Sequence, residues 1–401
     1  MKRFFLLTLA SAALLGASAA PVKTYEVKSP DGRLALVLTA GERLSFTVAR
    51  DGETLVAPSE MALTLSTGEV LGESPRVRSA RRRAVSETID APLYRQSRFD
   101  AAYNELDLRL RGDYGILARA YDDGVCYRFY TERDGELTIV DETAQLNFEG
   151  DPSAYIPYSK TEIPMRTSFE NTYEYAPLSK FRTQTVAFMP VLVDLGEQGY
   201  VLYTESDVEA YPGVYLTYDK EARGFAARFA EYPTETSLTK RFQDVVERSA
   251  DYIARVDGRR SYPWRIVAYA ATATELPVND MVWQTAEASR VADASWVRDG
   301  KIAWDWWNNW GVYGVDFKSG INTETYKYFI DFAAANGIEY VALDEGWGVR
   351  DGDVMHVVPE IDLPEIVSYA REKKVGIILW VVAKVLDDKL EEACRYYSEL
   401  G

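Results

Sequence analysis

Histidine is nearly absent from this chain, with His356 alone among 401 residues. That nearly excludes catalysis by a Ser-His or Cys-His pair and rules out a zinc site built on several imidazoles. Cysteine is almost as scarce. Cys126 and Cys394 stand far apart, in what read as different domains, and are too few for a disulfide framework, so buried free thiols are expected. Positive charge is short as well: 45 Lys and Arg against 62 Asp and Glu leave a formal charge of −17. A chain so acidic repels phosphate backbones, and its one basic run, Arg81-Arg82-Arg83, reads as a solvated loop. Nucleic acid is not an expected partner. Past the first twenty residues no run is long and apolar enough to span a bilayer, so membrane insertion is not expected either. What remains plentiful is acid and aromatic surface, and any chemistry is expected to run on carboxylates.

The N-terminus has the pattern of a secretory leader. Lys2 and Arg3 are followed by the apolar Phe4 to Leu15 and by small residues at Ala17-Ser18-Ala19. Pro21 disfavours cutting directly before it, which places the cleavage after Ala19, with residues 1–19 removed. No cysteine directly follows the cleavage region, so no lipid anchor is indicated. The expected location is secreted, in the periplasm.

From Val22 to about Trp264 the pattern is all-β. Leu34 to Thr39, Leu44 to Val48, Leu106 to Leu110 and Val125 to Tyr130 are short β-rich runs. Ser29-Pro-Asp-Gly32, Asp51-Gly52, Asp123-Gly124 and Asp134-Gly135 read as the turns between them, and the sum suggests a sandwich. Pro263 to Trp296 reads as a connection between domains, with weak helical periodicity from Leu276 to Ala292. After Gly300 strands and helices alternate. Ile302 to Trp306, Ile338 to Leu343 and Val375 to Trp380 read as strands. Asn322 and Asp362 are placed to cap the helices between them, the second with Pro364 in its first turn and Glu365 at the capping-box position. Leu386 to Leu400 reads as a third helix. The strands start about every 37 residues, the repeat of an α/β barrel. Three such units do not close eight strands, so the sequence is expected to be cut short. The division is thus a β domain over 20–275, a linker over 276–300 and an incomplete (β/α)8 barrel over 301–401.

Aromatic surface is concentrated: all nine Trp lie between Trp264 and Trp380, and four of them fall in the heptapeptide Trp304-Asp-Trp-Trp-Asn-Asn-Trp310. An indole lies flat on the C–H face of a sugar while its N–H finds an oxygen. If the strand continues, 304, 306 and 310 share one face and 305 and 307 the other. In α/β barrels the working residues sit at the carboxyl ends of strands. The first end offers Trp304, Asp305, Trp306, Trp307, Asn308 and Asn309. The second offers Asp344, Glu345 and Trp347, and the third Trp380 and Lys384. Carboxylates beside indoles and an amide suit the gripping of sugar hydroxyls, and an oligosaccharide is the expected partner. His356, after an acidic loop, reads as a surface residue.

Ala303-Trp-Asp-Trp-Trp-Asn-Asn309, Gly314-Val-Asp-Phe-Lys318, Gly320 to Tyr328 and Tyr340-Val-Ala-Leu-Asp-Glu-Gly-Trp347 resemble glycoside hydrolase family 97, the family of bacterial starch-utilisation α-glucosidases and related α-galactosidases. The resemblance implies an N-terminal β-super-sandwich, a catalytic (β/α)8 barrel and a calcium ion held by carboxylates. One calcium ligand of the family lies in a Phe/Tyr-Glu-x-x-Tyr setting. Phe169-Glu-Asn-Thr-Tyr173 matches it, so Glu170 is the expected ligand, with Glu174 second. The nucleophile or base and the general acid are implied beyond Gly401, leaving the 401 residues inactive by themselves. Inverting members place a glutamate near the end of the third strand. Here Val381-Val-Ala-Lys384 follows Trp380, which favours a retaining enzyme, with Asp305 and Glu345 binding substrate. The implied activity is calcium-dependent, exo-acting release of terminal α-linked galactose or glucose. The alternatives are a barrel of the α-galactosidase kind without calcium, and an inactive fragment or non-catalytic carbohydrate-binding protein.

Overall fold

The computed structural model describes residues 22–91, 93–160, 165 and 168–401, so the leader expected over residues 1–19 lies outside the described residues. The chain divides into two compact units. One comprises residues up to 92, 97–232 and 251–288; the other comprises 93–96, 233–250 and 289–401.

The first unit is built mainly of strands, and those described pair antiparallel, with the short helix Met281–Thr285 near its end. Leu34–Ala40 buries Leu34, Leu36, Leu38 and Ala40 and turns the residues between them partly to solvent, and Leu44–Arg50 does the same with Leu44, Phe46 and Val48. This period of two is what a half-buried strand requires. Asp51 and Gly52 both take positive φ, 52° and 89°, and join Arg50 to its partner Glu53 as the two-residue hairpin their sequence suggests. The organising strand is Gly124–Asn147, 24 residues long. It pairs along its length with Glu53–Leu65, Tyr114–Tyr121, Gly224–Arg228, Ala254–Ser261 and Trp264–Ala270.

Three expectations for this unit are corrected. Asp134-Gly135 is a bulge inside the long strand and not a turn. Arg259 pairs with Glu132 while Asp257 pairs with Glu136, so residues 133–135 crowd opposite Gly258. A Cβ at 258 would lie 2.6 Å from the Arg133 carbonyl oxygen, which explains the glycine there. Arg81-Arg82-Arg83 lie in strand Val77–Asp90 and not in a loop, Arg83 reaching Glu105 at 2.5 Å. The third correction concerns Trp264–Ala270. It is a strand with all seven residues buried, lying between Tyr200–Ser206 and the long strand. Burial on both faces removes the alternation that marks a strand in sequence, so the stretch reads as featureless.

Arg265 in that strand is fully buried. It donates to both Glu142 oxygens, at 2.8 and 2.7 Å, and to Glu205 at 2.6 Å. Burial works against the charged guanidinium, but the two carboxylates outweigh it and hold its pKa above the ordinary value. Cys126 is free and buried as expected, whereas Cys394 is free but exposed.

The second unit is α/β. Strands Ile302–Trp304, Tyr340–Leu343 and Gly376–Leu379 pair in parallel in that order. Helix Thr323–Ala335 follows the first strand and helix Leu363–Lys373 the second. Both caps form as their sequences suggest: Asn322 accepts from the Thr325 N–H at 2.9 Å and Asp362 from the Glu365 N–H at 2.9 Å. Tyr326, Ile330 and Ala333 then meet Val341, Leu343 and Ile366 in one core. The expected third helix is two: Ala383–Asp388 and Leu390–Leu400, broken at Lys389. A hairpin of Pro233–Leu238 and Asp244–Ser249 also belongs to this unit, although the sequence places it within the β domain.

Candidate active site

The parallel strands bring their carboxyl ends together, and the first of them stops early. After Trp304 the chain turns into a 3-10 segment, Asp305–Asn308, closed by Asn309 and Trp310, both at φ 53°. The expected alternation of 304, 306 and 310 against 305 and 307 therefore fails, because a helical turn replaces the extended strand. Trp306 and Trp307 are 52% and 84% exposed. Trp307 stacks on Trp304 with centroids 6.2 Å apart and 29° between planes, and Trp306 leans on Trp310 at 5.4 Å.

Asp305 goes the other way. Its residue is 0% exposed, and its carboxylate accepts from the Tyr326 hydroxyl at 2.6 Å, the Trp310 indole at 2.9 Å and the Asp344 N–H at 3.2 Å. Burial raises its pKa, and these hydrogen bonds offset part of the rise. A carboxylate so enclosed braces the first strand end against the second and has no face for a sugar. Asp305, expected among the substrate-binding residues, is thus enclosed at the strand end.

At the second end Asp344 accepts from the Trp304 indole at 2.5 Å and from the Glu345 N–H at 2.5 Å, which orients both neighbours. Gly346 has φ 120°, a backbone conformation that calls for glycine between Glu345 and Trp347. Trp347 is 3% exposed, donates to the Trp380 carbonyl at 2.8 Å and packs edge-on against Tyr397. Trp347, expected to contact sugar, thus lies in the core of this unit. Trp380 keeps part of its ring exposed. Lys384 does not follow Trp380 into the site by itself: it lies in helix Ala383–Asp388 and pairs with Asp388 one turn on. Asn308 is exposed, its amide donating to the Gly311 carbonyl at 2.7 Å.

Glu345 is held by arginines that sequence reasoning passed over. Arg241, at the tip of the 233–250 hairpin, donates to it through Nε at 3.2 Å and through its terminal nitrogen, and Arg350 approaches at 3.0 Å. Nothing local marks either one; the pairing with Arg241 spans 104 positions of sequence. Glu345, both arginines, Phe242, Trp380 and Val385 line a cavity beside the strand ends.

His356 is exposed, as its surroundings suggest. Its Nδ1 lies 2.6 Å from Asp351, and Asp353, 3.7 Å from Nε2, is also bound by Lys389 at 2.5 Å. The Asp351 hydrogen bond, and then the charges of both aspartates, raise its pKa above 6.5. A raised folded-state pKa contributes stability that is complete below the unfolded value and fades as pH rises through the folded one. NMR titration of this single imidazole is expected to give a midpoint above 6.5 that falls back in D351N.

The expected calcium ligands lie in the first unit. Glu170 is exposed and borders a small cavity with Tyr158, Phe169 and Phe188, its segment pinned by the Phe169–Tyr173 ring contact at 5.7 Å. Glu174 gives both oxygens to Arg182, at 2.6 and 2.7 Å. That pairing uses the donor set a hard cation would need, so Glu174 does not fit. Among the described residues no group of three acidic, His or Cys side chains is gathered as a metal site.

The descriptions "Glycosyl-hydrolase 97 N-terminal" and "Glycoside hydrolase 97" match residues 27–287 and 306–401. The chain belongs to glycoside hydrolase family 97. Within this family 97 chain, the hairpin bearing Arg241 falls in the stretch matched by the N-terminal description, yet it packs in the second unit. The chain is 41% identical over 388 residues to a protein named "Retaining alpha-galactosidase" from Bacteroides thetaiotaomicron, an alignment covering 94% of this chain and 59% of that protein. It is 31% identical over 370 residues to a "Probable retaining alpha-galactosidase" from Streptomyces bingchenggensis, covering 89% and 52%. The family 97 chain thus spans a little over half the length of these curated relatives. A family 97 enzyme from Pseudoalteromonas sp. strain K8, solved with acarbose, superposes with a TM-score of 0.78 at 19% identity, covering 94% of this chain and 57% of that one. At that identity the likeness speaks for the fold.

Proposed function

We propose that this family 97 chain belongs to a secreted, exo-acting, retaining α-galactosidase and that its described strand ends hold the terminal sugar. The 41% identity to a protein named "Retaining alpha-galactosidase", running through both units, carries the reading. The Val381-Val-Ala-Lys384 sequence after Trp380, without the glutamate of inverting members, supports it. Retention needs two carboxyl groups about 5–5.5 Å apart, one as nucleophile and one as acid and then base. Asp305 is enclosed, Asp344 is tied to Trp304 and Glu345 is clamped by arginines, so this chain's strand-end acids are assigned to binding and bracing. Trp306 and Trp307 supply a platform for the apolar sugar face, and Glu345 and Asp344 accept from hydroxyls.

Calcium enters only through Glu170, whose exposed carboxylate offers oxygen donors. Chelation of the protein carrying this sequence is expected to lower both activity and melting temperature; unchanged values would remove calcium from the reading. The functional test is hydrolysis of nitrophenyl α-galactoside and α-glucoside. The galactoside is expected to lead by at least about tenfold in kcat/KM, since a site built on hydroxyl hydrogen bonds discriminates by leaving polar groups unpaired. Galactose binding without cleavage of either would instead mark a carbohydrate-binding protein.

A further inference from the structure

Arg241 comes to Glu345 from the hairpin, and its geometry gives it a task. A carboxylate has about four lone-pair sites. On Glu345, Oε1 accepts from Arg241 Nε at 3.2 Å and faces Arg350 at 3.0 Å, while Oε2 accepts from the Arg241 terminal nitrogen. Among the described residues three sites are used and one remains, on the Oε2 side, in a side chain that keeps 21% of its surface open and borders the cavity. The Arg241 fork meets both oxygens, which fixes the carboxylate plane as a single point charge would not. The Asp344 carboxylate holds the Glu345 N–H at 2.5 Å, so the residue is fixed at backbone and side chain alike. Phe242, next to Arg241, lies against Gly352, where an added Cβ would come within 2.9 Å of its ring. The hairpin tip is therefore seated beside the loop that carries Arg350.

We propose that Arg241 is a positioning residue: the 233–250 hairpin delivers it to the strand ends, where it and Arg350 aim the free acceptor site of Glu345 at a hydroxyl of the bound sugar. The inference rests on the reading that these strand ends hold a terminal galactose. It assigns to a segment matched by the N-terminal family description a part in substrate recognition.

The test compares wild type, R241A, R241K, E345Q and the double variant R241A/E345Q in the protein that carries this sequence. Steady-state kinetics on nitrophenyl α-galactoside and quenching of tryptophan fluorescence by galactose are both read. R241A is expected to raise KM and the galactose Kd about tenfold while kcat changes less, because an interaction shared by ground and transition state is lost. R241K, keeping the charge without the fork, is expected to recover only part. In the double variant the R241A effect should shrink to within about twofold of E345Q alone, since Arg241 acts through Glu345. Unchanged KM and Kd in R241A, or full additivity with E345Q, overturns the proposal. A lowered melting temperature in R241A with wild-type kinetics in R241K also overturns it, for the arginine is then only a support of the hairpin. A wild type that neither binds nor cleaves galactosides overturns the functional reading and this inference with it; one that does both while R241A matches it overturns the inference alone.

Discussion

Replacing Arg265 with methionine is expected to destabilise the β unit by about 3–5 kcal/mol, the cost of stranding a buried charge without its partner. Arg265 is wholly enclosed and carries three short hydrogen bonds to Glu142 and Glu205. Methionine fills much of the same volume, so the loss is electrostatic and not a cavity. The two acids then differ. The Glu142 side chain is 4% exposed and, among the described residues, pairs with no cation but Arg265, while Glu205 is 13% exposed and also accepts from the Val214 N–H at 3.0 Å. R265M/E142L should therefore recover most of the stability, since an apolar replacement of a buried ion pair is often neutral or better. Urea unfolding followed by circular dichroism checks both. R265M within about 1 kcal/mol of wild type would show that water reaches the pair.

Asp305→Ala is the second large effect, and it acts on the α/β unit. Three donors converge on this carboxylate: a tyrosine hydroxyl from the first helix, an indole from its own turn and the amide that opens the Asp344-Glu-Gly-Trp segment. Alanine would orphan all of them in a buried place, at about 1–3 kcal/mol each where water cannot enter. A net loss of about 3 kcal/mol or more is expected, along with sugar binding, because Trp304 and Asp344 lose the brace that sets their spacing. D305N keeps one acceptor oxygen and should fall between. Thermal unfolding and galactose-induced quenching, measured on the same samples, separate the two consequences. Wild-type melting with lost binding would return Asp305 to the sugar contacts.

Local signals were legible and distant ones were not. The caps at Asn322 and Asp362 depend on residues within one turn, so the sequence displayed them. The hairpin at Asp51-Gly52 was visible for the same reason, both residues tolerating positive φ. Trp264–Ala270 was hidden because a strand buried on both faces has no period to see. The Trp304 to Trp310 stretch showed which residues gather but not how they face, since the αL pair Asn309 and Trp310 closes a turn that no alternation rule anticipates. Asp305 and Trp347 looked like ligands of a sugar because their roles as brace and core are set by Tyr326, Asp344, Trp380 and Tyr397, all distant in sequence or on other elements. Arg241 was missed outright. A tip arginine 104 positions from its carboxylate leaves no mark on the sequence around either.

The strand ends of the α/β unit are proposed to hold a terminal galactose on an indole platform. A crystal structure of the protein carrying this sequence, soaked with galactose, tests it most directly. The expected result is the sugar ring against Trp306 or Trp307, with a hydroxyl within about 3 Å of Glu345. A galactose seated elsewhere, with these side chains bare, would contradict it.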